Sequence, residues 1–205
     1  MSALQEYFKK LEKWENEKTE IDAWKQFQAS LYNVEEFAQK KLNKEPVARD
    51  ENWHETPEKI LCSKCDSISD QYRFGSYTDH LEFISDAMRK YKTSEPIILF
   101  RGVSGIPMEK MVESAEKLNE EGIDFYEKGY MSCSLVPERA KPYKVQLVIY
   151  IPPFSNVMYA GHCNDEGEPN NECQYECIIG TGAKLRIVQQ IKDKYYCILE
   201  GTDFA

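Results

Sequence analysis

The sequence predicts a protein in which amphipathic helices come first and strands come later, and three observations carry that expectation. Leu4, Tyr7, Phe8, Leu11 and Trp14 recur at three- and four-residue steps, as do Trp24, Phe27, Leu31, Val34 and Ala38, so each set makes one apolar helix face. Ile97 to Val103 is a short apolar run, as in a strand buried on both faces, and Val145, Leu147, Ile149 and Ile151 alternate with their neighbours in the two-residue period of a strand. Near the C-terminus, Gln174 to Val188 reads as two strands joined by a hairpin turn at Gly180 to Gly182.

The chain has 205 residues, 41% of them hydrophobic, enough for one sizeable domain carrying a helical annex, which divides as residues 1–76 and 77–205. The net charge is −9 and no block of Lys or Arg is long enough to track phosphates, so DNA and RNA are discounted as main partners. No apolar run reaches the length of a membrane span, and Met1 to Glu6 lacks the basic-then-apolar pattern of a secretory signal. Seven cysteines, an odd number, in a chain with its own core point to reduced thiols rather than a disulfide scaffold.

In chain order, Thr19 caps the second helix, and Asn43 to Glu55 is an aperiodic connection in which His54 reads as a surface or cap residue. Thr56-Pro57-Glu58 starts a third helix with Leu61, Cys65, Ile68 and Tyr72 inward and Gly75 after its end. Cys62-Ser63-Lys64-Cys65 lies within it. Zinc would need two more ligands, and His162, Cys163, Cys173 and Cys177 do not repeat the paired spacing; a redox dithiol belongs at a strand-to-helix junction rather than inside a helix. The pair therefore reads as buried or partly exposed thiols. Thr78 caps a helix with Leu81, Ile84, Met88 and Tyr91 inward, and Pro107 opens another that Gly122 closes.

The polar residues among the strands carry the chemistry. Arg101 follows four buried hydrophobes, a costly place for a guanidinium unless an Asp or Glu, or a ligand's phosphate, meets it. Ser132 and Ser134 share one face of a strand over Gly129 to Leu135, where two hydroxyls can hold a carboxylate or a ribose, or form a solvated edge. The strand over 145–151 stops at Pro152-Pro153, and Val157 to Tyr159 is a short one. The long polar loop Gly161 to Cys173 then delivers Gln174 and Glu176, two residues apart and so on the same side of an extended segment. Glu176 alone is either a solvated strand-start residue or a functional carboxylate. Gly180 to Lys184 has the flavour of a phosphate loop but lacks the full spacing, and Tyr195 to Leu199 is the last strand.

The order Arg101, then Ser132-Cys133-Ser134, then Gln174-Tyr175-Glu176, with Ile-x-Ile-Pro before the loop and Glu-x-Ile-Ile-x-x-Gly after it, resembles the mono-ADP-ribosyltransferases of the bacterial toxin type, the Rho-modifying clostridial exoenzymes among them. The likeness covers residues 77–200. It implies an α+β fold of two packed, mostly antiparallel sheets with NAD in the cleft, the N-terminal helices acting as a cap. It further implies transfer of ADP-ribose from NAD to a target protein with release of nicotinamide, no metal, and action in a target cell's cytosol after secretion or translocation. Carried over residue by residue, Arg101 would hold the diphosphate or the nearby ribose, with Gly102, Ser132 and Ser134 also at the NAD site. Ser132 would orient Glu176, Glu176 would stabilise the oxocarbenium-like transition state, and Gln174 would face the acceptor, a Gln here going with Asn or Gln rather than arginine. Cys133 departs from the usual Thr or Ser, with its side chain expected to face away, and Asn171 stands where several relatives carry an exposed aromatic. An NAD glycohydrolase, or a non-catalytic binding module on the same fold, are the alternatives.

Overall fold

A computed structural model describes residues 56–75, 79–94, 96–117, 123–135, 137–140, 142–160 and 176–203. The first two expected helices, His54, the polar loop over 161–173 and Gln174 lie outside the described residues. All described residues belong to one compact unit.

Helix α1 (Pro57–Phe74) starts as its sequence demands: the Thr56 hydroxyl accepts from the Lys59 N–H at 3.3 Å, and Pro57 occupies a first-turn position whose N–H has no helical partner. It ends at Gly75, whose φ of 75° places the cap in the left-handed region that glycine enters freely. The helix is not continuous, because Lys64 (φ −132°, ψ 23°) leaves helical geometry. Helix α2 (Asp79–Met88) turns Leu81, Ile84 and Met88 inward as expected. Glu58 of α1 ties the two together, accepting from the Tyr91 hydroxyl at 2.7 Å and pairing with Lys90 at 2.6 Å. Burial pushes the Glu58 carboxyl up, but those two partners outweigh it and the net shift is downward.

The strands are β1 (Ile97–Val103), β2 (Ile123–Glu127), β3 (Met131–Ser134), β4 (Val145–Ile151), β5 (Val157–Tyr159), β6 (Glu176–Ile179), β7 (Ala183–Ile191) and β8 (Lys194–Gly201), with helix α3 (Ile106–Ala115) after β1. Strand β2 was not expected from the sequence; it is a five-residue edge strand that β7 recruits. The strands form one hydrogen-bonded order, β2-β7-β8-β4-β1-β3-β6-β5, antiparallel except for the β4–β8 pair. The fold is α+β and mostly antiparallel. The strands fall into a five-strand arm and a three-strand arm that pack on each other and stay joined at β1 and β3, where the register contains one pair, Phe100 and Ser134. Across its other edge β1 is paired with β4 from Ile97 through Val103.

Alternation sorts the buried side chains into two cores. Leu99, Leu147, Ile149, Leu185, Ile187 and Cys197 of the long arm pack with Met131, Cys133, Val157, Cys177 and Ile179 of the short arm. The opposite face of the short arm, with Tyr130, Met158 and Ile178, packs on Leu61, Ile68, Tyr72, Leu81 and Ile84 of α1 and α2. Truncating a fully buried leucine such as Leu61 or Leu147 to alanine costs about 2–5 kcal/mol in such settings.

The segment Gly180 to Gly182 is not a hairpin turn. Strand β6 pairs with β3 and β5, and β7 pairs with β2 and β8, so these residues carry the chain from one arm to the other. The crossing is tight: a Cβ on Gly180 would lie 2.0 Å from Asn156 Oδ1, and Gly182 has a φ of 68°. A pattern of apolar runs around glycines reads the same whether the runs pair with each other or with strands far away in sequence.

Candidate active site

Arg101, Ser132, Ser134 and Glu176 converge on the short arm's α1-facing side. Strands β3 and β6 run antiparallel with Ser134 opposite Glu176 and Ser132 opposite Ile178, so alternation puts both hydroxyls and the carboxylate on one face. The opposite face takes Cys133 and Cys177, which meet in the core between the arms. The Cys133 side chain is thus turned into that core, as expected, although the residue borders the cleft and its thiol meets Arg101. Burial is the main force raising its thiol, to about 12.

Ser132 donates its hydroxyl to Oε1 of Glu176, and the Ser132 carbonyl accepts a 2.6 Å hydrogen bond from Nη1 of Arg101. The guanidinium therefore crosses from β1 to β3 at the thin joint between the arms. Of the two partners the sequence offered it, an acidic side chain or a ligand, the structure puts this nitrogen on a backbone carbonyl. Burial raises the Glu176 carboxyl above the ordinary carboxylate range; the Ser132 hydrogen bond and Arg101 pull it down, while Asp66 pushes it up.

These groups open into a cavity of about 740 Å³, the size of a cofactor cleft. Arg101, Gly102, Ser132, Ser134 and Glu176 all line it. Gly102 does so beneath an aromatic ring: a Cβ there would lie 1.9 Å from Cδ2 of Tyr143, so the glycine is what lets Tyr143 close down on β1. Helix α1 forms the facing wall with Cys62, Ser63, Asp66 and Ser67, and the 3₁₀ turn Pro137–Arg139 adds Arg139. The short arm is held to α1 where the Ser69 hydroxyl donates to the Tyr130 carbonyl at 3.1 Å, and Arg73 Nε of α1 pairs with buried Glu127 at 2.9 Å.

A sequence profile of the ADP-ribosyltransferase exoenzyme family matches residues 58–205. The chain belongs to that family. It is accordingly an NAD-dependent mono-ADP-ribosyltransferase, with NAD as the substrate. The fold agrees with solved members. Plx2a, an ADP-ribosyltransferase toxin from Paenibacillus larvae, superposes with a TM-score of 0.63 at 20% identity, covering 82% of this chain and 95% of that one. The C3 exoenzyme of Clostridium limosum gives 0.60 at 20% identity, covering 84% and 93%. C3stau2 of S. aureus, solved with NAD, gives 0.56 at 11% identity, covering 75% and 89%. Among curated protein sequences none matches the chain. Among the described residues no helix is long and apolar enough to cross a membrane, and no group of three or more His, Cys, Asp or Glu could hold a metal ion.

Sequence reasoning missed Asp66, Tyr143 and Arg139 as parts of this exoenzyme's cleft. Asp66 shares a helix with a clear apolar stripe, and its polar neighbours read as the solvated side. Tyr143 meets Gly102 only through the fold.

Proposed function

We propose that this ADP-ribosyltransferase modifies an amide side chain, Asn or Gln, of a target protein. The observation that supports the site assignment is the hydrogen bond from Ser132 to Glu176 in the same cleft as Arg101. As the bond between nicotinamide and the ribose C1″ breaks, nicotinamide leaves with the electron pair and C1″ takes up positive charge. Glu176, as the carboxylate, stands against that charge and accepts from a ribose hydroxyl, and Ser132 fixes the carboxylate's direction. Arg101 and Ser134 hold the diphosphate and ribose end, the planar guanidinium matching paired phosphate oxygens, while Gly102 leaves room along β1. The acceptor nitrogen then attacks C1″ and loses its proton, which restores the charge balance.

Gln174, two residues before Glu176 in the sequence, is assigned to the acceptor because an amide can donate to and accept from another amide. Residues 1–76 are assigned to the helical cap and 77–205 to the catalytic core, with action in a target cell's cytosol after secretion or translocation. The test is Gln174→Ala, read for NAD hydrolysis and for protein labelling with tagged NAD, followed by mass spectrometry of labelled peptides. Hydrolysis within a few-fold of the parent with labelling lost supports the assignment. Equal losses of both activities, or arginine labelled by the parent protein, reject it.

A further inference from the structure

The cleft has a wall of two thiols that the transfer reaction does not use. Cys62 and Cys65 both line it from α1, Cys62 half-buried and Cys65 buried. We propose that this pair is a redox site, forming a reversible disulfide that closes the cleft to NAD. The closure rests on the cleft being the NAD site, whereas the disulfide itself does not.

The break in α1 makes the bond possible. In an unbroken helix, side chains three apart have Cβ atoms about 5–6 Å apart, against about 3.8 Å in a disulfide. Lys64, with φ −132° and ψ 23°, lies between the two cysteines, so Cys62 and Ser63 close one helical segment, Cys65 begins the next, and the helical spacing of the pair does not hold across the break. The sequence argument against a redox pair, that it sits inside a helix, fails at this residue. Cys62 is also singled out by access, being half-buried where Cys65 is buried. The other described cysteines, Cys133, Cys177 and Cys197, are 5%, 0% and 0% exposed within the core between the arms.

The exchange needs a low-molecular-weight disulfide such as oxidised glutathione. The Cys62 thiolate attacks it, forming a mixed disulfide and releasing one small thiol; Cys65 then gives up its proton, attacks the Cys62 sulfur and releases the second. Two protein thiols are oxidised and one small disulfide is reduced to two thiols. Burial pushes the Cys65 thiol up to about 12, Glu176 adding to that and Arg101 opposing it, so Cys62 is the entry point and Cys65 the resolving residue. Drawing the two Cβ atoms together moves the wall that carries Asp66, whose charge acts on Glu176.

The full chain, reduced and then incubated with oxidised glutathione, gives a direct readout, because trypsin cuts after Lys59, Lys64 and Arg73. Residues 60–64 and 65–73 then remain joined only by the disulfide. The proposal expects that linked pair without reductant, NAD binding and hydrolysis lowered at least about tenfold, and recovery in dithiothreitol. In Cys62→Ser the rates with and without oxidant should be equal, whatever the basal rate is, and Cys65→Ser should stop at the mixed disulfide on Cys62. In the parent chain, a glutathione adduct on Cys62 alone, a link from either cysteine to Cys163 or Cys173, or linked peptides with unchanged NAD binding overturns it. A reduced chain that neither binds nor hydrolyses NAD refutes the NAD-cleft assignment and the closure with it, and the peptide map then decides the disulfide alone.

Discussion

Ser132 reaches Glu176 diagonally across the β3–β6 ladder, since its direct partner is Ile178 and the residue opposite Glu176 is Ser134. A diagonal contact of this kind depends on strand register. A slip of one residue would turn the Cys133 and Cys177 thiols toward α1 and bury the hydroxyls and the carboxylate in the core. The apolar residues flanking each motif therefore hold the catalytic geometry as well as the fold.

Glu176→Gln is expected to lower nicotinamide release by about 100-fold or more, because it removes the charge facing the developing cation while keeping the shape. The same variant should melt at a higher temperature than the parent at neutral pH. Burial raises the folded Glu176 carboxyl above its ordinary value, so the folded state binds more protons than the unfolded one in the window between the two values. Stability then falls as pH rises through that window, and above it the full cost of the buried charge is present. Thermal melts at pH 7 and at pH 4 check this; a stabilisation that is larger at pH 4 would contradict it.

Ser132→Ala removes a hydrogen bond that favours the ionised carboxyl, so the Glu176 value should rise further. The acidic limb of the pH profile for kcat, where activity is lost as Glu176 takes up a proton, is expected to move to higher pH. A profile of unchanged position and lower height would make Ser132 a packing residue.

Arg101→Lys should weaken NAD binding by about tenfold, equivalent to about 1.4 kcal/mol, since an ammonium cannot hold the Ser132 carbonyl and a phosphate pair with one planar fork. Calorimetry of NAD binding measures it. An unaltered affinity with a lowered Tm would assign Arg101 to joining β1 to β3.

Gly102→Ala is expected to lower Tm and NAD affinity together, because the new methyl must displace the Tyr143 ring. Gly102→Ala should cost less Tm when added to Tyr143→Ala than when added to the parent. Additive losses in the double-mutant cycle would show that the ring is not what confines the glycine.

Much of this was legible because strand alternation is local. The runs over 97–103, 145–151 and 157–159 became strands with those bounds, and Thr56, Pro57 and Gly75 mark the ends of α1 by their own chemistry. Arg101, Ser132, Ser134 and Glu176 stood out by position and alternation, the family resemblance named them and Gly102 as a site, and all line one cleft. What the sequence hid depends on distant partners. Strand β2 needs β7 beside it, the Gly180 to Gly182 segment takes its meaning from which strands lie on either side, and the face of α1 around Asp66 looks solvated until a sheet is set opposite it. The break at Lys64 has no proline or glycine to announce it.

The single registered pair between β1 and β3 has a mechanical consequence. Arg101 belongs to the five-strand arm and Glu176 to the three-strand arm, so the two ends of the cleft are anchored in parts that share little backbone bonding. On warming, a slight parting of the arms separates guanidinium from carboxylate while each ladder remains intact. Turnover should then fade at a lower temperature than the ellipticity of the strands, with the enzyme silenced as a folded molecule.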